Sequence, residues 1–226
     1  GLLLGMTVFE TLRTYDGVPF RLGPHVDRFI ASARALGITP PTPQEVADEI
    51  AGVCEGDVSI RYTLTGAGRR ILQRIPIKPG TAAREMRVGS LQWRNPVSLP
   101  GAVKHGCRAS WIIAAQQAGV DEVLLIDESQ HILEANRSNV FAVIDGQLCT
   151  PPLDGRQLAG VTREALIEAA SAIGLTCLER PVPLDSHFEE LYLASTLKEL
   201  APVVEVCGRP LPAGGPVGRR LHGAFR

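Results

Sequence analysis

Apolar and polar positions along this 226-residue chain follow two rhythms, a period of two in some stretches and a helical period in others. Residues 59–65 alternate Ile60, Tyr62 and Leu64 against Arg61, Thr63 and Thr65, which predicts a half-buried strand. Residues 8–15 alternate in part and run into Asp16-Gly17, a hairpin-turn pair, with a return strand over 18–22. Gly23-Pro24 then opens a helix whose apolar stripe is Val26, Phe29, Ile30, Ala33 and Leu36, with Arg28 off the stripe. Further helices are expected over 44–53, 107–117 and 161–173. Further strands are expected over 86–93, 122–126, 131–133, 139–144, 147–150, 176–180, 191–194 and 203–206, with Asp145-Gly146 turning a second hairpin. Hairpins mixed with segregated helices argue for an α+β fold with antiparallel or mixed sheets.

Residues 94–103 carry Pro96, Pro100 and Gly101 with no periodicity and read as a linker. The expected division is an N-terminal domain over 1–96, a linker over 97–103 and a C-terminal domain over 104–226. Composition narrows the function. Lys and Arg total 23 against 24 acids, a net charge of −1, so no field favours nucleic acid or an anionic membrane. Five cysteines without a Cys-x-x-Cys pair argue against a metal site or a disulfide framework. The apolar residues 1–5 are too short for a secretory segment and no stretch approaches a membrane span, so a cytoplasmic setting is expected.

Only three lysines occur, Lys78, Lys104 and Lys198, so few amines are available for imine chemistry. Lys104 follows the linker, and Arg108 would share its helical face if a helix has begun by then. Glu134 ends an apolar return strand before the polar run Asn136-Arg137-Ser138-Asn139. Gly160-Val161-Thr162 opens a helix, whose free N–H groups and dipole favour an anion. Ser195-Thr196 closes a strand, and Arg28 offers a bidentate phosphate contact. Each has a plainer reading: a surface lysine, a solvated glutamate or arginine, a helix cap, a turn. Together and in this order they match what a pyridoxal phosphate site requires: an amine, a carboxylate for the ring nitrogen and a cradle for the phosphate.

The chain resembles the class IV aminotransferases, the fold-type IV pyridoxal phosphate enzymes. Val8-Phe9-Glu10-Thr11-Leu12-Arg13 before Asp16-Gly17 resembles the family's N-terminal hairpin, and His25-Val26-Asp27-Arg28 its His-x-x-Arg helix. Glu134 with Ser138-Asn139-Val140-Phe141, Thr150-Pro151-Pro152, Gly160-Val161-Thr162-Arg163 and Ser195-Thr196 with Pro202-Val203 complete the likeness. The resemblance implies two domains, the smaller N-terminal, with the cofactor in the cleft between them, and a homodimer acting on an amine or amino acid. It implies Lys104 as the catalytic lysine, and Arg28, Glu134, Ser138, Asn139, Val161, Thr162, Ser195 and Thr196 around the cofactor. Arg108 and Arg137 are candidate substrate contacts.

Three departures stand out. The chain enters the family pattern late, so a first strand is expected to be absent. Asn136-Arg137 replaces small residues, and Ala109 stands where branched-chain transaminases carry a tyrosine. Lys104-His105-x-x-Arg108 resembles some 4-amino-4-deoxychorismate lyases of folate biosynthesis, which release pyruvate and leave 4-aminobenzoate. With Ala109, it favours that lyase over the alternatives, a D-amino-acid or branched-chain transaminase and a binding protein that has lost catalysis.

Overall fold

A computed structural model describes residues 5–93 and 99–226, in which the chain forms two compact units. The first unit takes Gly1–Pro79 with Pro96–Arg108, and the second takes Gly80–Asn95 with Ala109–Arg226.

The first unit contains β1 (Thr7–Tyr15), β2 (Val18–Pro19), α1 (Leu22–Ala35), α2 (Pro43–Ala51), β3 (Val58–Thr65) and β4 (Arg70–Pro76). Its antiparallel sheet has the order β2-β1-β3-β4. Asp16 and Gly17 both sit at positive φ, the geometry of a two-residue hairpin turn. Val8 and Leu12 on β1, with Ile60, Tyr62 and Leu64 on β3, form the face that packs under the helices. Phe29 of α1 meets Tyr62 edge-on at 5.0 Å. Thr42 caps α2 by a reciprocal bond with Glu45, behind Pro43 in the first turn.

The second unit contains β5 (Met86–Gln92), α3 (Ala109–Ala118), β6 (Glu122–Ile126), β7 (His131–Ala135), β8 (Asn139–Ile144), β9 (Gln147–Thr150) and α4 (Val161–Ala172). It continues with β10 (Cys177–Glu179), β11 (Val182–Pro183), β12 (Glu190–Ser195), β13 (Glu199–Val206), β14 (Arg209–Pro210) and α5 (Pro216–Phe225). The sheet order is β10-β9-β8-β12-β13-β5-β6-β7-β11, with β14 on β13. It is mixed: β9/β10, β5/β13 and β5/β6 are parallel and the other pairs antiparallel. The tight turn after β7, closed by Ala135 and Ser138, sets β7 beside β8 and curls the sheet. Every residue of β8 is buried, and after Asn139 the strand is a continuous apolar run, Val140 to Ile144.

The units depart from the contiguous division expected above. β5 pairs with β6 and β13, so 86–92 belongs to the second unit. Val103 is buried in the first unit's core, so 99–103 is more than a linker, and residues 97 and 98 lie outside the described residues. Lys104 is stitched to β1 and closes the first unit. The expected absence of a first strand concerns a terminus whose residues 1–4 are also outside the described set.

Candidate functional site

In the first unit, Glu10 lies on the helix-facing side of β1, between Val8 and Leu12, with 1 % of its surface exposed. A carboxylate there must be paired. The His25-x-x-Arg28 spacing puts both partners on one face of α1. Arg28 donates from Nε and Nη2 to the two Glu10 oxygens, each at 2.8 Å, and His25 Nδ1 sits 2.8 Å from Oε2. Burial alone would raise the Glu10 carboxyl, but Arg28 and then His25 hold it well below the usual carboxylate range. Burial lowers His25, with Glu10 opposing.

Lys104 is fixed through its backbone. Phe9 N–H donates to Lys104 O at 3.0 Å, Gly106 N–H to Thr7 O at 2.9 Å, and Lys104 N–H to Ser32 Oγ at 3.2 Å. Residues 104–106 thus join the β1 edge, and a Cβ on Gly106 would collide with Thr7 Oγ1. Helix α3 starts only at Ala109, so the condition for Arg108 to share a helical face with Lys104 is not met. Instead both border the Phe9 ring, with Lys104 Nζ 5.1 Å and Arg108 Cζ 5.4 Å from its centroid. Arg61 stacks on the same ring at 3.7 Å, and no carboxylate pairs with it among the described residues. Its desolvation lowers its pKa. Buried His105 accepts from Cys107 N–H at Nδ1 (3.1 Å); burial and then Arg108 push it down to about 4, so the ring is neutral.

In the second unit, Glu134 lies within β7 rather than at its exposed end, 8 % exposed. Its Oε2 accepts from Leu158 N–H at 3.2 Å and from Asn139 Nδ2 at 3.5 Å. Asn139 Nδ2 also donates to Leu158 O at 2.9 Å. Gly160 packs so tightly on Asn139 that a Cβ would overlap Asn139 Oδ1. Glu134, Asn139 and the start of α4 therefore form one locked group. The N-cap of α4 is Gly160, which provides no side-chain cap, and Thr162 Oγ1 is buried with no hydrogen-bond partner. The N–H groups of Val161 and Thr162 lie in the first turn, where no intrahelical acceptor exists. Ala194 pairs with Asn139 across β12 and β8, so half-buried Ser195 and Thr196 follow at the same end of the sheet.

Ser138 and Arg137 turn elsewhere. Ser138 Oγ donates to Glu122 Oε1 at 3.2 Å, and Arg137 binds the same carboxylate through its N–H at 3.2 Å while Nη2 donates to Asp121 O at 2.8 Å. Glu122, Lys198 and Arg61 have no role assigned from the sequence pattern. Arg61 had one available signal: it is the arginine on the polar side of a strand whose other side is all apolar.

Residues 7–206 match the model of the family described as Amino-transferase class IV. The chain belongs to that family. A provisionally named branched-chain-amino-acid aminotransferase of Methanocaldococcus jannaschii is 34% identical over 253 residues, covering 100% of this chain and 88% of that protein. The crystal structure of the Escherichia coli branched-chain amino acid aminotransferase superposes with a TM-score of 0.85 at 25% identity, covering 98% of this chain and 84% of that one. A T.th. branched-chain amino acid aminotransferase, complexed with N-(5'-phosphopyridoxyl)-L-glutamate, gives 0.83 at 26% identity, with coverages of 98% and 84%. The mixed α+β fold is thus that of this family of enzymes. These relatives are transaminases by name, and the preference for a lyase drawn from Arg108 and Ala109 finds no support among them.

Proposed function

We propose that this chain is a pyridoxal-phosphate-dependent transaminase that exchanges the amino group of a branched-chain amino acid with a 2-oxo acid. The observation that carries the reading is the lock between Glu134, Asn139 and the uncapped start of α4. It supplies a buried carboxylate for a ring N–H and, one glycine away, backbone donors with an unpartnered hydroxyl for a phosphate. The donor set therefore fits the cofactor. When bound, the pyridinium ring supplies an electron sink at the substrate's α-carbon.

The chain's own residues divide the remaining work. Lys104 Nζ would be the amine that holds the cofactor and the base available for the substrate's α-proton. Glu134 keeps the proton on the ring nitrogen. In the second unit, the Val161 and Thr162 N–H groups and the Ser195 and Thr196 hydroxyls would hold the phosphate; in the first, Arg28, oriented by Glu10, is a guanidinium suited to an anion. Asn139 holds Glu134 in place. Arg61, a half-buried guanidinium without a carboxylate among the described residues, receives a substrate carboxylate beside Lys104.

An absorbance spectrum of the protein with added pyridoxal phosphate tests this. The expected result is a visible band that Lys104→Ala abolishes, bleached by L-leucine and restored by 2-oxoglutarate. A band that leucine leaves unchanged while aminodeoxychorismate yields pyruvate would establish the lyase instead. No band at all would leave a family member without its chemistry.

A further inference from the structure

The turn over 196–198, between β12 and β13, is anchored by two consecutive side chains to two different elements. Lys198 Nζ lies 2.6 Å from Glu122 Oε1 at the start of β6 and 3.3 Å from Ser138 Oγ. Glu199, in the left-handed region at φ 56°, sends its carboxylate to His222 Nε2 of α5 at 2.6 Å and Arg226 Nε at 3.3 Å. The Glu122 side chain is fully buried, a costly place for a charge. Its oxygens also accept from Ser138 Oγ and Arg137 N–H, both at 3.2 Å. One carboxylate therefore ties the turn that carries Thr196 to the turn that leads into Asn139. Both turns flank groups assigned above to the cofactor.

We propose that Glu122 and Lys198 are positioning residues that set the Ser195-Thr196 hydroxyls in register with the Glu134–Asn139 pair, and so define the phosphate end of the site. The assignment rests on the cofactor reading given above. Neither residue touches the cofactor; the ion pair acts through the two turns it joins. An apolar pair would hold a core together equally well, but it would not fix the separation of two turns with a directed contact. Lys198 is therefore neither a catalytic amine nor a surface charge; of the two remaining lysines, Lys78 and Lys104, Lys104 is the one assigned above to the covalent work.

The test compares wild type with Lys198→Met, with Lys198→Arg, and with the double variant Glu122→Gln/Lys198→Met. The double variant removes the stranded buried charge and keeps the fold intact where Lys198→Met alone does not. The readouts are the dissociation constant for pyridoxal phosphate from titration of the visible band, the phosphorus NMR shift of the bound phosphate, and the thermal midpoint. The expected result is a double variant with a near wild-type midpoint, a shifted phosphorus resonance and a cofactor dissociation constant raised about tenfold. Lys198→Arg recovers most of the affinity. A double variant with wild-type affinity and resonance would overturn the positioning role and leave the transaminase reading standing. A wild type that takes up no pyridoxal phosphate would remove both.

Discussion

Glu10 and Arg28 face each other through two hydrogen bonds of 2.8 Å, and the carboxylate side of this pair is almost wholly buried on the apolar side of β1. The pair explains why Arg28, off the apolar stripe of its helix, still points inward. It also joins α1 to β1 by charge where Val8, Leu12 and Phe29 join them by packing.

Glu10→Gln keeps the shape of the side chain and removes its charge, leaving the Arg28 guanidinium at a largely buried site. The expected cost is about 3 kcal/mol of folding stability, read from the urea midpoint. The wild-type carboxyl is held far below its unfolded value of about 4.3. Its contribution is therefore complete above that pH and is lost as the pH falls below it. The acid limb of the stability curve should be shallower in Glu10→Gln, and identical limbs would refute the pairing.

His105 sets a second pH dependence. Burial and then Arg108 lower it to about 4, against about 6.5 in an unfolded chain. Between those values the unfolded chain takes up a proton that the folded chain refuses. Stability from this group is full above about pH 6.5 and falls by up to about 3 kcal/mol toward pH 4. Urea midpoints at pH 7.5 and 5 should differ less in His105→Gln than in wild type. Equal differences would mean that His105 is protonated in the fold.

Where local chemistry decides, the sequence was readable. Asp16-Gly17 and Asp145-Gly146 turn hairpins because both residues of each pair take positive φ. Gly160-Val161-Thr162 starts α4 as its spacing suggests. What escaped depends on distant partners. Strand β4 has no alternation and is mostly exposed, so only its register on β3 defines it. Helix α5 carries Gly218 and Gly223 and is held from outside: Glu190 accepts the N–H groups of Val217 and Gly218, and Gly218 is small because Tyr192 lies against it. Glu122 and Lys198 are 76 positions apart and look unremarkable until the sheet brings them together. Residues 99–103, with Pro100 and Gly101, read as a linker by composition although Val103 is core.

Gly160→Ala places a methyl group on Asn139 Oδ1 and should push Asn139 off both Glu134 and Leu158. Overpacking of this kind costs about 1–3 kcal/mol. The variant should retain pyridoxal phosphate poorly. Asn139→Ala removes the obstacle, so the double variant should be more stable than the sum of the single losses allows. Strict additivity in denaturation midpoints would show that the two residues do not press on one another.

Arg61→Met tests the cation beside Lys104. Stacking on Phe9 is worth about 0.5–2 kcal/mol, so the loss of folding stability should be modest. The larger effect should fall on substrate binding, with KM for 2-oxoglutarate raised about tenfold or more. Comparison with 4-methyl-2-oxopentanoate identifies which carboxylate is held. A rise for both oxo acids assigns Arg61 to the carboxylate they share, and a rise for 2-oxoglutarate alone assigns it to the distal one. Arg61→Lys retains the charge but not the planar fork, so it should recover only part of the affinity. Unchanged KM values for both acids in Arg61→Met would show that this guanidinium serves the Phe9 ring alone.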